Sequence, residues 1–282
     1  MSKAAPGSPH PFVVSTITAK GAVSRAPIDL AAFAAGVRVR PEADLVRAGE
    51  AGIVYVELVR RGDALVRGEP PPSAVRSARK RQQTGNAARC FENQTTVVFV
   101  ASSGGRANVK VFCNGNVQMT GIKAPELGQA ALEHVAGELR RLSPGAVADA
   151  AAVAAERFEV CMINTHFDLG FCVKRDRIDH VLRTSYFPMR CVFEPCRYSG
   201  VKASFMWNAE SRAEDGACRC RGEPCSGAGH GEADNDCRKV TMVFFQSGRV
   251  IITGALTMEQ VYAARAFVLR VAQEHREAIE LL

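Results

Sequence analysis

From Lys239 to Leu269 the chain passes through two regimes of hydrophobic spacing. Val240 to Phe245 and Arg249 to Thr253 are short runs rich in branched and aromatic residues, separated by Gln246-Ser247-Gly248. This pattern predicts a β-hairpin with a glycine in its tight turn. Beyond it, Val261, Ala264, Val268 and Val271 recur at the spacing of one buried helical stripe, with Thr257 placed as N-cap and Glu259 in the first turn. The predicted unit is strand, turn, strand, amphipathic helix. The chain contains it twice. Asn108 to Leu142 runs in the same order, and one constant offset pairs Phe112 with Phe245, Gly115 with Gly248, Thr120 with Thr253, Gly121 with Gly254 and Glu126 with Glu259. Tandem copies predict a pseudo-symmetric fold.

The patterning extends upstream of each hairpin. Val13 to Ala19 alternates as a half-buried strand, and Ile28 to Val37 reads as a short helix with Pro27 at or just before its start. Glu159 to Thr165 and Arg175 to Arg183 repeat this strand and helix. Further strands are expected at Ile53 to Leu58 and Thr95 to Val100 in the first copy, and at Cys191 to Glu194 and Val201 to Trp207 in the second. The organisation is a disordered Pro- and Ser-rich start (1–12), a first repeat (13–142) with a polar insertion (about 60–89), a linker (143–156), and a second repeat (157–282) with a Cys-rich insertion (about 208–238). The six cysteines outside that second insertion fall mostly in predicted strands and read as small core residues. The first insertion carries Arg76, Arg79, Lys80 and Arg81. It reads as a solvated loop, the alternative being a phosphate-contacting or nuclear-import segment.

Composition narrows the classes. With 282 residues, 47% hydrophobic, the chain can bury a sizeable core. No apolar run approaches the roughly 18 residues of a membrane span, and the opening residues lack a signal-peptide core. An intracellular setting and no membrane partner are therefore expected. The net charge of +7 and pI near 9.0 have the sign that suits a polyanion. Walker A, H-E-x-x-H and G-x-S-x-G motifs are missing and the six histidines are scattered, so no enzyme is predicted.

The doubled hairpin, with FFQSGRVIITGALTMEQVYAA and FEPCRYSGV in the second copy, resembles the TATA-box binding protein (TBP) family, and most of all the divergent TBP-like proteins of large DNA viruses. The resemblance spans roughly residues 13–142 and 157–275. It implies an α+β fold in which two TBP-like repeats form a saddle-shaped, curved antiparallel sheet with helices on its convex face. The concave face would lie on the minor groove of promoter DNA, a binding mode that bends DNA by inserting apolar wedges. It also implies a TFIIB-like factor and RNA polymerase as partners, a monomeric pseudo-dimer, and action in a host nucleus or viral factory.

By position, the family's wedge residues fall on Phe91, Phe112, Tyr198 and Phe245, and its central threonines on Thr120 and Thr253. Strand alternation adds Gln118 and Ile251, then Lys110 and Val243, to the same face. Thr18 and Asn164 stand near the family's central polar positions, and Lys123, Lys202 and Arg249 near its phosphate contacts. Tyr198 departs from the pattern: its hydroxyl weakens insertion between stacked bases or shifts it to an edge contact. The first copy is the more polar, with Asn108, Lys110 and Gln118 where the second has Thr241, Val243 and Ile251.

One constellation lies outside the resemblance. Cys218, Cys220, Cys225 and Cys237 follow C-x-C-x4-C-x11-C in a Gly-rich polar loop that also contains His230. Four thiols so placed can surround one tetrahedral ion, so a structural zinc is expected; free thiols in a flexible loop are the alternative. The functional readings are a TBP-like initiation factor that binds and bends promoter DNA, or the same scaffold used as a protein-interaction module.

Overall fold

The computed structural model describes residues 12–60, 63–71, 93–186, 189–210, 214–221 and 225–281. The chain divides into two compact units. The first is Ile17–Val160, and the second is Met1–Thr16 together with Cys161–Leu282. Each is an open antiparallel sheet with helices, so the α+β class expected from the sequence is what is found.

In the first unit the strands are β1 (Val13–Ser24, from Ile17 onward), β2 (Gly52–Arg60), β3 (Asp63–Gly68), β4 (Gln94–Val100), β5 (Arg106–Phe112) and β6 (Asn116–Ile122), in the order β3-β2-β4-β5-β6-β1. Helices α1 (Leu30–Gly36) and α3 (Pro125–Arg141) cover one face. The alternation that predicted the strands sets this face: Ala107, Val109 and Val111 of β5 and Val117 and Met119 of β6 are buried, while the residues between them are not. Phe99 packs on His134 of α3 with ring centroids 5.2 Å apart. Asp29, not Pro27, starts α1: its carboxylate accepts from the amides of Ala31 and Ala32.

The second unit has β7 (Val153–Asp168, from Cys161 onward), β8 (Cys191–Val192), β9 (Val201–Trp207), β10 (Arg238–Phe244) and β11 (Arg249–Ala255), ordered β7-β11-β10-β9-β8. Helices α4 (Arg175–Thr184) and α5 (Met258–Glu274) are followed by the single turn α6 (Arg276–Ile279). The stripe read from the sequence is the buried one: Val261, Ala264, Val268 and Val271 are wholly enclosed, with Phe267 beside them at 1% exposure. Each such Val or Phe contributes about 1.5–3 kcal/mol relative to exposure. Thr257 caps α5 in a reciprocal capping box with Gln260.

The two hairpin turns need their glycines. Gly115 and Gly248 have φ of 82° and 85°, and a Cβ would stand 2.0 Å from the Ser24 carbonyl oxygen and 2.1 Å from that of Phe171.

Several expectations change. Asp63–Gly68, inside the first insertion, is a strand paired with β2 from Tyr55↔Gly68 to Arg60↔Asp63, because Ala64, Leu65 and Val66 find ladder partners that a loop reading ignored. Val153, assigned to the linker, opens β7. An unpredicted helix, α2 (Glu42–Ala48), ends on Gly49 in the left-handed conformation. Of the other described cysteines, Cys191 alone is buried, while Cys113, Cys172 and Cys196 are exposed, since they sit at turns and not in strands. The basic run 76–81 lies outside the described residues.

Candidate nucleic-acid interface and cysteine cluster

Residues directly opposite on antiparallel strands point to the same face, so the registers assign the candidates. In the second unit Thr241 stands opposite Thr253 and Val243 opposite Ile251, while Lys202 faces Val243 from β9 and His166 faces Ile251 from β7. All lie on the face away from α5, because Val240, Met242, Val250 and Ile252 take the helix side. The Thr253 hydroxyl donates to Asn164 Oδ1 and sits 3.4 Å from Met162 Sδ. The structure thus brings together the threonine and the asparagine that spacing placed only approximately.

At the turn end of this face, Tyr198 and Phe245 meet edge to face, with centroids 6.0 Å apart. The Lys202 ammonium lies 4.2 Å from the Tyr198 ring centroid, a cation–π contact. Gly200 permits the cluster: a Cβ there would fall 2.6 Å from Val243 Cγ1, 2.9 Å from Tyr198 Cε1 and 3.2 Å from Phe245 Cε1. Val243 is on the expected face but only 5% exposed, sealed by this packing. Tyr198 is 38% exposed and Phe245 half-buried, while Lys202 and Arg249 are exposed.

In the first unit Asn108 stands opposite Thr120 and Lys110 opposite Gln118, and Lys20 of β1 faces Gln118 from the other side. Phe112 and Thr18 are half-buried on that same face, and Lys123 is exposed just before α3. Phe91 lies outside the described residues. Lys20 escaped the sequence reading although alternation from Thr18 points to it; it pairs with Glu159 at 3.1 Å.

The first unit's open face also holds something the sequence did not announce. Tyr55 is opposite Val98, and Val98 opposite Asn108, so all share the face of Thr120. There Leu45 of α2 buries a cluster of Val54, Tyr55, Val98 and Val100, with the Glu42 carboxylate against Arg106. A cavity of about 1050 Å³ between Pro41, Arg67, Pro70, Val54 and Val98 adjoins it.

The four cysteines of the second insertion come together: the sulfurs of Cys218, Cys220, Cys225 and Cys237 all lie within 4.8 Å of one another, with Cys220 to Cys237 at 3.4 Å and Cys218 to Cys237 at 3.7 Å. Burial pushes the Cys218 thiol up, but backbone amides of Cys225 and Cys220 outweigh it and bring the pKa to about 7. Burial, then the neighbouring thiols, drive Cys237 well above its ordinary value. His230, inside the same loop, is not among the clustered ligand atoms.

Compared with known proteins, the chain is 25% identical over 221 residues to a TATA-box-binding protein-like protein of Acanthamoeba polyphaga mimivirus. The chain resembles the TBP-like proteins. The match takes in 74% of this chain and 54% of the mimivirus protein, so the chain spans about half the length of that relative. Methanococcus jannaschii TBP superposes with a TM-score of 0.46 at 16% identity, over 93% of this chain and 98% of that one. No protein-family profile matches. Among the described residues, no helix is long and apolar enough to cross a membrane.

Proposed function

We propose that the protein is a non-catalytic, TBP-like transcription initiation factor that lays the open faces of its repeats in the minor groove of promoter DNA, bends it, and recruits a TFIIB-like factor and RNA polymerase in a host nucleus or viral factory. One observation carries this reading: in both repeats the Phe beside the hairpin turn and the Thr of the Thr-Gly step share the face turned away from the long helix, Phe112 with Thr120 and Phe245 with Thr253. Minor-groove readout needs such a surface, with apolar groups against sugars, hydroxyls and amides for the A N3 and T O2 acceptors, and cations at the rim. Ile251, Tyr198 and Phe245, backed by the buried Val243, supply the first, Thr253, Asn164, Thr120, Gln118 and Thr18 the second, and Lys110, Lys123, Lys202 and Arg249 the third. The Cys218, Cys220, Cys225 and Cys237 cluster serves this scaffold as one structural zinc site.

Binding and bending of a randomised duplex pool, followed by fluorescence transfer between end labels, tests the reading. Wild-type protein should bend selected duplexes, whereas Phe245→Glu and Phe112→Glu should each abolish bending while melting normally. Undiminished bending in both variants would refute the wedge roles.

A second reading, a protein-interaction module, draws support from α2, which occupies part of the first unit's open face. The salt dependence of duplex binding separates the two, because a steep slope requires several neutralised phosphates.

A further inference from the structure

The segment 208–237 contains no Val, Ile, Leu, Met, Phe, Tyr or Trp residue, yet its described stretches 214–221 and 225–237 bring all four cysteines together. A chain so poor in apolar groups has no core of its own to hold it. The sulfur geometry supplies a fastener. Zinc held by four thiolates at about 2.3 Å demands sulfurs about 3.8 Å apart, and these lie at 3.4 to 4.8 Å, far beyond the roughly 2.05 Å of a disulfide. Donors aimed at the sulfurs complete the picture: the Asn235 amide is 3.1 Å from Cys220 Sγ, and Asn208 Nδ2 is 3.8 Å from Cys237 Sγ. Such outer donors orient and stabilise metal-bound thiolates.

What the segment touches says what the metal is for. The Met206 amide donates to the Gly216 carbonyl and the Lys239 amide to that of Gly227, both at 2.9 Å, so the two arms flank the end of the β9–β10 hairpin. Gly216 and Gly231 press on Phe205 and Trp207 so closely that a Cβ would fall 2.4 Å and 2.3 Å from those rings. The segment also reaches α5. Gln260, 1% exposed, donates its Nε2 to the His230 carbonyl at 2.8 Å while its Oε1 accepts from the Leu256 amide at 2.7 Å. Arg270 holds both the carboxylate and the carbonyl of Glu214, at 3.0 and 2.8 Å. In the first unit the corresponding hairpin end is closed by the short turn Ala101 to Gly105, without cysteines.

Resting on the zinc reading above, we propose that the ion bound by Cys218, Cys220, Cys225 and Cys237 is a clamp that fastens the end of the β9–β10 hairpin to helix α5, through His230 on Gln260 and Glu214 on Arg270. Three ligands lie in the arm that leaves β9, and the fourth, Cys237, directly precedes β10. The ion therefore closes the insertion onto the strand it must anchor. Loss of the metal releases the described arms, 214–221 and 225–237, and, with them, the bonds to α5.

Elemental analysis of the purified full chain should find one zinc per molecule, and finding none in wild-type protein refolded with added zinc chloride would overturn the site itself. Hydrogen exchange before and after chelation then tests the clamp. Amides at 206–239 and in the first turn of α5 should exchange about tenfold faster or more without metal, and recover on adding zinc chloride. Zinc present, with α5 exchange indifferent to its removal, would leave the site standing and overturn the clamp. Arg270→Ala, outside the capping box, provides the counterpart: it should keep the zinc yet raise exchange at residues 214–216, and unchanged exchange there would also overturn the clamp.

Discussion

Glu138 of α3 is a carboxylate only 1% exposed, and it is the point where helix α3 is tied to the segment that follows α1. Arg38 donates its backbone amide to Oε2 at 2.9 Å and its Nε to Oε1 at 2.7 Å, while Arg141 Nη2 reaches Oε2 at 2.8 Å. Burial alone would raise the carboxyl pKa, but the Arg141 and Arg38 bonds outweigh it and hold the value at about 2, below the ordinary 4.5. A carboxylate depressed on folding stabilises the folded chain fully above its unfolded pKa, and that contribution fades as pH falls toward the folded value. The depression from 4.5 to about 2 corresponds to about 3 kcal/mol, an upper bound because solvent reaches both guanidinium groups. Glu138→Gln should therefore destabilise the first unit at neutral pH, and the gap between wild type and variant should narrow by about 2 kcal/mol between pH 7 and pH 3. Urea unfolding followed at both pH values measures it. A gap that stays constant across that range would show that the ion pairs contribute nothing and that Glu138 acts by shape alone.

Two further outcomes follow from the backbone. Gly248→Ala should cost about 2 kcal/mol or more, since it combines a left-handed conformation with a Cβ 2.1 Å from the Phe171 carbonyl; thermal melting within a degree of wild type would contradict that strain. Thr257→Ala removes one half of the capping box of α5 and should cost about 1 kcal/mol in chemical denaturation, with no effect on the first unit.

The repeat, the hairpins and the long helices were legible because each is written in local spacing. Thr257 and the stripe from Val261 to Val271 announced α5, and the alternation around Thr120 and Thr253 sorted Gln118, Lys110, Ile251 and Val243 onto the correct face. The four cysteines were legible as a set because they crowd a short polar stretch. What only the folded chain decided depends on residues far apart in sequence. Nothing near Glu42–Ala48 says that Leu45 will close over Tyr55 and Val98, since that cluster exists only once β2 and β4 pair. The strand at Asp63–Gly68 reads as polar loop until β2 offers it a ladder, and Thr253 reaches Asn164 only because β11 lies against β7. Local periodicity records which face a side chain takes; long-range pairing determines what stands beside it.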